Sequence, residues 1–397
     1  MRTVIINRFS PKTVNYEEWL DGIEGEFILI CKKEHVDDFS NFFDLKVGFD
    51  NFEYNDAIYK YIVDLNNEQK VDYIVAAHEY DLSNAGYLRD YLRISGQNGE
   101  SALRFRNKLL MKELTKEIIN TPNYSRVNNV FDVINFVVQN GYPIVLKPID
   151  KAGSVGVQIV RDEYALLQIL EKGIEENFEI ESFIDGEMYH VDGLYQNGKL
   201  LFAQPAKYIN DCFTLLNENK CIGSMMLEKN NPLFNRLCDS VKLILTKFPT
   251  PSHAIAFHAE FFYTTSNEIV FCEIASRAAG GMIPETIYHA TGVDILKESI
   301  RAQCGGSIDY IPKKDLLAGS ILVPPKNGTL VSQNPIIPYD WVLEYLKKTE
   351  NIGKKFNGPN TGSHTIASVI FRGKDENEIM NRYKMLEIWF DNNLVWE

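Results

Sequence analysis

The stretch "IVFCEIASRAAGG", residues 269–281, breaks a run of strand-forming apolar residues with one carboxylate, one guanidinium and two glycines. Glu273 has apolar neighbours on both sides, a setting in which an unpaired carboxylate would be costly. Arg277 follows four residues later and would lie close to Glu273 if the strand continued. Gly280 and Gly281 then provide bare backbone that a ligand can approach closely. The pattern predicts a strand that ends at a binding site, followed by a short helix with Pro284 near its first turn.

The segment around this strand, "HAEFFYTTSNEIVFCEIASR", has the pattern of a β-hairpin that turns at Ser266 and Asn267. Glu260 and Glu273 are equally far from that turn, so they are expected to face each other on adjacent strands. Two such carboxylates repel unless a cation lies between them, and Mg²⁺ prefers carboxylates together with substrate phosphates. Either glutamate alone is more often a solvent-facing strand residue. The pair with Arg277 favours a site for phosphoryl transfer.

Bulk properties exclude several classes of protein. The chain has 397 residues with a formal net charge of −13, which disfavours nucleic acid as a partner. Apolar runs are too short for a membrane span, and the start "MRTVIINRFSPKT" does not resemble a signal peptide. The six cysteines form no C-x-x-C pair, which argues against disulfides and a zinc site. We therefore expect a cytoplasmic protein that does not bind membranes.

The order of the apolar runs predicts an α/β protein with more than one subdomain. The runs "TVIINRF", "FILICKK" and "VDYIVAA" suggest a parallel sheet with crossover helices. A compact α+β unit and two hairpins follow, the first turning at Asn197 and Gly198. The predicted division is 1–95, an α/β domain; 96–121, a helical linker; 122–184, a small α+β unit; and 185–397, a C-terminal domain.

Five segments in this order resemble the ATP-grasp superfamily, in particular its carboxylate–amine ligases, which include L-amino acid ligases and carnosine-synthase-like enzymes. The segments are "RNKLLMKEL", "YPIVLKPIDKAGSVGV", "IESFIDGEMYHVDG", "HAEFF" and "EIASRAAGG". The resemblance implies a Rossmann-like pre-ATP-grasp domain (1–95), a lid (122–184) and a C-terminal antiparallel-sheet domain that carries the catalytic and metal site. It also implies ATP and one or two Mg²⁺ ions as cofactors, with Mn²⁺ as an alternative ion.

The resemblance assigns nucleotide-binding roles along the first three segments. Lys108 and Lys147 resemble the two lysines that contact the phosphates, although Lys108, in a helix with Lys112 and Lys116, could also lie on a solvated face. Lys147 differs because it lies in the apolar strand-like run "IVLKP", where a charge needs a partner. The loop resembles a flexible flap over the phosphates, formed by Gly153, Ser154, Val155 and Gly156. The adenine contacts implied at the hinge are Glu181 and the backbone of Phe183 and Ile184. A hairpin turn is the structural alternative for the loop, and a buried edge strand is the structural alternative for the hinge.

Two positions depart from the family pattern. Many relatives have the ribose-binding carboxylate one position after Glu187, where this chain has Met188. Either a bulge corrects the register of Glu187, or His190 takes part of that role. Where many relatives have Asn two positions after the second metal ligand, this chain has Ala275, so a second ion would be held more by Glu273 and phosphate oxygens than by a side-chain amide. The expected metal ligands are Glu260 and Glu273.

The resemblance implies a ligase that forms an acyl phosphate and then an amide, releasing ADP and phosphate. Arg277 would stabilise the acyl phosphate and the tetrahedral intermediate, and the expected substrate contacts are His258, Gly280 and Gly281. The expected partners are small-molecule carboxylate and amine substrates, with amino acids as the first choice, and a homodimer is a further expectation. Transfer of the acyl group to a carrier-protein thiol is the alternative reaction. A nucleotide-binding regulatory module is the alternative without catalysis.

Overall fold

A four-stranded parallel sheet forms the N-terminal part of the computed structural model, which describes residues 1–174, 176–218, 220–334, 336–359 and 364–397. Its strand order is β3–β2–β1–β4. The elements are β1 (Arg2–Ile6), α1 (Tyr16–Trp19), β2 (Glu26–Lys32), a 3₁₀ helix (Lys33–Asp38), β3 (Leu45–Phe49), α2 (Ala57–Glu68), β4 (Tyr73–Ala76) and α3 (Leu82–Leu92).

Both faces of this sheet are buried, which explains its continuous apolar strands. Ile5 and Leu29 pack into a core cluster on one face, whereas Val4 and Ile28 pack into a second cluster on the other. Parallel strands covered on both faces are expected to be apolar throughout. The predicted parallel sheet is confirmed, and β3 adds a strand that the apolar pattern did not reveal.

Two helices connect this sheet to the lid, α4 (Gly99–Arg104) and α5 (Lys108–Thr115). The lid has an antiparallel sheet in the order β5–β8–β6–β7, with α6 and α7 packed against it. Its elements are β5 (Tyr124–Val127), α6 (Val130–Asn140), β6 (Ile144–Pro148), β7 (Gln158–Val160), α7 (Glu163–Leu170) and β8 (Phe178–Ser182).

The rest of the chain is built on an eight-stranded antiparallel sheet, in the order β13–β12–β9–β10–β11–β14–β18–β16, and a small sheet in the order β17–β15–β19. Its elements are β9 (Gly186–Gln196), β10 (Lys199–Ile209), α8 (Cys212–Glu218), β11 (Ile222–Met226), α9 (Pro232–Leu245), β12 (Ile255–Thr264), β13 (Ile269–Ala275), α10 (Ile283–Thr291), α11 (Ile295–Gln303), β14 (Leu317–Val323), β15 (Asn327–Gln333), β16 (Val342–Lys347), a 3₁₀ helix (Thr349–Asn351), β17 (Lys355–Asn357), β18 (Ala367–Gly373), α12 (Glu376–Asn393) and β19 (Leu394–Trp396).

Both predicted hairpins are present in the large sheet. Asn197 and Gly198 join β9 to β10 with positive φ angles of 48° and 78°, as a tight hairpin turn requires. In the second hairpin, Glu260 of β12 lies directly opposite Glu273 of β13, which confirms the predicted pairing. The large sheet therefore positions the two carboxylates side by side.

Within the described residues, each helix is too short or too polar to span a bilayer. The division of the chain at residues 95, 121 and 184 stays a prediction.

Candidate active site

Two adjoining cavities meet at Glu260 and Glu273. The lid cavity, about 180 Å³, lies between the lid and the large sheet. The arginine cavity, about 410 Å³, lies between the N-terminal sheet and the large sheet, beside Arg277. Glu260 and Glu273 line both cavities. A group held by the two carboxylates would therefore contact ligands in either cavity.

The carboxylate pair is arranged to bind a cation. Glu260 Oε1 accepts a hydrogen bond from Tyr208 Oη (2.8 Å) and lies 3.2 Å from His258 Nε2. Glu273 Oε2 lies 3.0 Å from Lys108 Nζ. Within the described residues, the other oxygens, Glu260 Oε2 and Glu273 Oε1, accept no hydrogen bond. Each carboxylate thus keeps one oxygen for a hard divalent ion, which prefers such ligands.

A buried cluster supports this pair from behind. Asp192, which is fully buried, lies 2.9 Å from His258 Nδ1 and 2.5 Å from His190 Nδ1, and His190 Nε2 lies 2.7 Å from Ser224 Oγ. Burial alone would lower the pKa of His258, but Asp192 raises it to about 10. Burial alone would raise the pKa of Glu260, but the contact with His258 lowers it to about 2. The cluster thus keeps Glu260 ionised.

Four buried charged side chains form a cluster, and two of them, Lys147 and Glu181, line the lid cavity. Lys147 Nζ is 2.8 Å from Glu181 Oε2, and Lys112 Nζ is 2.9 Å from Glu179 Oε1 and also contacts Glu181. Burial alone would raise the pKa of Glu181, but Lys112 and Lys147 lower it to about 2. Two ammonium groups therefore hold Glu181 as a carboxylate against the cavity.

The glycine-rich loop is in an unusual backbone conformation. Gly153, Ser154 and Gly156 all have positive φ angles, of 64°, 58° and 79°. A Cβ at Gly156 would lie 2.9 Å from Pro148 Cγ, whereas a Cβ at Gly153 would meet nothing within 4 Å. Turns of this kind expose successive backbone N–H groups, which form anion-binding concavities.

The base of this loop is attached to the first residue of α5 and to the segment just before that helix. Lys108 Nζ donates to the carbonyl oxygen of Lys151 (2.7 Å), and Arg106 Nη2 donates to that of Asp150 (2.7 Å). Lys108 therefore joins the loop to Glu273 and the carboxylate pair.

Arg277 is held in place at the edge of the arginine cavity. Its Nε donates to Glu79, in the loop after β4, and its Nη1 donates to the carbonyl oxygen of Ala278 (2.8 Å). Glu79 also accepts from Arg106. Burial alone would raise the pKa of Glu79, but the two guanidinium groups lower it to about 2. In the described part of the chain no group accepts from Arg277 Nη2, so that nitrogen can bind a ligand oxyanion.

The glycine pair follows Arg277 along the wall of the same cavity. Gly280 and Gly281 both line it, and α10 begins two residues later with Pro284 in its first turn and Gly292 as its left-handed cap. The predicted strand, glycine pair and helix are confirmed.

Sequence comparison identifies the domain that carries this geometry. Residues 140–285 match the ATP-grasp domain. The protein contains an ATP-grasp domain. The match covers most of the lid, the carboxylate pair, Arg277 and the glycine pair.

The relatives of this ATP-grasp protein include amide-forming ligases. An L-arginine-specific L-amino acid ligase of Bacillus subtilis is 27% identical over 323 residues, spanning 78% of this chain and 77% of that protein. Dapdiamide A synthase of Enterobacter agglomerans is 26% identical over 234 residues, spanning 55% of this chain and 53% of that protein. These relatives support an ADP-forming ligase that makes amides.

The whole fold is also similar to a solved structure. An L-amino acid ligase from Bacillus licheniformis has a TM-score of 0.77 over 100% of this chain and 99% of that chain, at 15% sequence identity. Because the similarity covers the whole chain, the shared fold includes the N-terminal sheet.

Most residues predicted to bind ATP line the lid cavity of the ATP-grasp domain. These are Lys108, Lys147, Gly153, Ser154, Val155, Glu181, Phe183 and Ile184. The N–H of Phe183 already donates to the carbonyl oxygen of Pro143 (3.1 Å), so hydrogen bonds to an adenine edge must come from other backbone groups of the hinge. His258, Gly280 and Gly281 line the arginine cavity as expected for substrate contacts.

Two expected ribose contacts do not reach the lid cavity. The pairing of β9 with β12 runs through Glu187 without a bulge, so Met188 faces the cavity and Glu187 faces away. Glu187 lies 2.5 Å from Lys207 Nζ at the surface. His190 is buried, with both ring nitrogens engaged by Asp192 and Ser224. The expectations for Glu187 and His190 are therefore corrected.

Several residues of the ATP-grasp site were not predicted from the sequence. Glu79 and Arg106 lie outside the matched region, and nothing in their local pattern indicates Arg277 as a partner. Lys112 belongs to the helix in which a solvated face was the alternative for Lys108, but both lysines are buried. For Asp192 a signal existed, because an aspartate within the apolar strand β9 needs partners.

Proposed function

We propose that the protein is an ATP-dependent ligase that joins two amino acids through an amide bond. The observation that carries the proposal is the position of Glu260 and Glu273 at the junction of two cavities, with Arg277 beside the second. ATP in the lid cavity would direct its terminal phosphate towards the carboxylate pair. A substrate carboxylate in the arginine cavity would meet it there.

The carboxylate pair fits the Mg²⁺ that ATP-grasp enzymes use. Glu260 and Glu273 would hold the ion with the oxygens that accept no hydrogen bond within the described residues. When bound, Mg²⁺ neutralises charge on the phosphates and aligns them for transfer. Ala275 offers no side-chain oxygen for a second ion, so we propose that at least one ion binds.

The other residues of the site would then bind ATP and stabilise the reacting groups. Lys147 and Lys108 balance phosphate charge, and the N–H groups of the loop at 153–156 close over the phosphates. Arg277 Nη2 donates to the acyl phosphate and to the oxyanion formed when the amine attacks. Glu181 accepts from the adenine amino group, since its carboxylate stays ionised between two lysines.

The test is product analysis with the purified protein, ATP, Mg²⁺ and a mixture of free amino acids. We expect ADP, inorganic phosphate and a new amide detected by mass. AMP and pyrophosphate instead of ADP would contradict an acyl phosphate. Release of ADP only after addition of a carrier protein would support thiol acylation, and ATP binding without turnover under any condition would support a regulatory module.

Amino acids as partners follow from the relatives, whereas a homodimer and a cytoplasmic location stay predictions.

A further inference from the structure

The arginine cavity is bounded by two apolar clusters. On one side, Ile283 and Leu296 belong to the core between the N-terminal sheet and the large sheet. On the other side, Ile222 and Leu322 belong to a small cluster with Leu215. The four side chains that line the cavity are 4% to 7% exposed, so each retains a little surface towards it. A ligand side chain between these walls would contact hydrocarbon.

Every carboxylate that lines the cavity already has a cationic partner or a proposed metal. Glu79 binds the guanidinium groups of Arg277 and Arg106. Glu260 and Glu273 contact His258 and Lys108, and their remaining oxygens are assigned to Mg²⁺. A lysine or arginine side chain of a substrate would therefore find no uncommitted carboxylate among the described residues that line this cavity.

The charged cationic groups that line the cavity also have partners within the protein. Arg277 is bound to Glu79 and faces the reacting carboxylate, and His258 is bound to Asp192. His78 also lines the cavity, but burial and the nearby Arg8 and Arg277 lower its pKa to about 4, so it is neutral at pH 7. Within the described part of the cavity wall, a carboxylate on a substrate side chain would find no cation free to pair with it.

The space beside the glycine pair has room for added side-chain atoms. A Cβ at Gly280 would meet nothing within 4 Å, and a Cβ at Gly281 would lie 3.5 Å from Leu322 Cδ2. The cavity volume of about 410 Å³ is within the range of small-molecule sites.

We infer that the arginine cavity takes an amino acid with a large, uncharged, apolar side chain. The inference rests on the proposed ligase function and specifies one of its two substrates. Burying an unpaired charge between apolar walls is costly, whereas an alkyl or aromatic side chain is stabilised by leaving water. Discrimination would come from Ile222, Leu322, Ile283 and Leu296, and not from the charged groups that perform the chemistry.

The first test compares two substrates that differ in one charged group. Norleucine has the carbon chain of lysine without its ammonium group, so the two substrates differ only in that terminal charged group. Each is supplied alone and together with alanine, and ADP release and amide mass are measured. We expect kcat/KM for norleucine to exceed that for lysine at least about tenfold, with arginine and glutamate as poor as lysine.

The outcomes separate this inference from the ligase proposal. Turnover of lysine, arginine or glutamate as efficient as that of norleucine would overturn the apolar assignment and leave the ligase function intact. Absence of ADP release with every amino acid pair would overturn both.

The second test uses a cavity variant with a matched control. Leu322→Ala enlarges the cavity, so kcat/KM for phenylalanine relative to leucine should rise by about threefold or more. Leu330→Ala removes the same atoms from a fully buried position in another core cluster, and should lower stability without changing that ratio. Equal substrate ratios in the two variants would show that Leu322 does not contact the substrate side chain.

Discussion

At the scale of single residues, Glu273 provides the most direct test of the metal site. Replacing Glu273 with Gln retains its shape but removes the charge that would bind Mg²⁺. We expect the rate of phosphate release to fall about 100-fold or more at saturating Mg²⁺, because phosphoryl transfer depends on the metal. The measurement is phosphate release across a range of Mg²⁺ concentrations, with a thermal melt to confirm folding.

Glu268→Gln is the control for this change. Glu268 lies at the exposed turn of the same hairpin and does not line either cavity. Activity of the Glu273→Gln variant close to that of the control would remove the metal assignment.

Glu79 is a second residue whose effect on kcat can be measured separately from its effect on ATP binding. Glu79→Gln weakens the contact that orients Arg277, so kcat should fall by roughly tenfold or more, since a misplaced catalytic group costs orders of magnitude. KM for ATP should change little, because Glu79 does not line the lid cavity. Steady-state rates at varied ATP and amino acid concentrations would separate the two constants.

Asp81→Asn is the matched control for Glu79. Asp81 lies in the same loop and forms a buried ion pair with Arg8 (2.8 Å), but lines neither cavity. An equal loss of kcat in both variants would mean that Glu79 supports the loop and does not act through Arg277.

At the scale of elements, the glycine-rich loop depends on backbone that only glycine adopts easily. Alanine at a positive φ costs on the order of 1–2 kcal/mol. At Gly156 the new Cβ would also press against Pro148, whereas at Gly153 it would meet open space. We expect KM for ATP to rise in both alanine variants, and more in Gly156→Ala. Initial rates at varied ATP would measure this.

A third lid glycine provides the control. Gly173 has a φ of 82° with nothing near its Cβ position, and it lies outside both cavities. Gly173→Ala should therefore lower stability without changing KM for ATP. If all three variants had the same KM, the loop at 153–156 would not contact the nucleotide.

At the scale of the whole molecule, Glu79 links three parts of the chain, since it lies after β4 and binds Arg106 of the linker and Arg277 of the large sheet. Its pKa is lowered from 4.5 to about 2 in the folded protein. The ion pairs therefore contribute full stability above about pH 4.5, and this contribution is lost as the pH falls from 4.5 towards 2. In Glu79→Gln, the free energy of unfolding should therefore fall less than in the wild type as the pH falls from 4.5 towards 2.

Denaturant unfolding at several pH values between about 5 and 3 would measure this difference. Glu113→Gln removes an exposed carboxylate whose partner is Lys116, so it should leave the pH dependence almost unchanged. Parallel pH profiles for the wild type and Glu79→Gln would contradict a stabilising role for the Glu79 ion pairs.

The sequence alone determined the features that depend on local periodicity. The hairpin pattern predicted that Glu260 and Glu273 lie on adjacent strands near each other, but their direct pairing also depends on a shift of register between Glu260 and Phe261, which pairs with Phe271. Continuous apolar runs predicted the parallel sheet, and a lysine inside the apolar strand β6 predicted a paired charge at Lys147. The glycine pair and Pro284 predicted the start of α10.

Only the tertiary structure decided which distant groups meet. Glu79 and Arg277 are 198 positions apart, and no local pattern relates them, because their contact depends on how the N-terminal sheet packs on the large sheet. The side of β9 that Glu187 faces depends on an unbroken register with β12, which short motifs do not specify. Lys112 is buried because the lid places Glu179 and Glu181 over its helix, and a helical pattern of charges cannot reveal which face another domain covers.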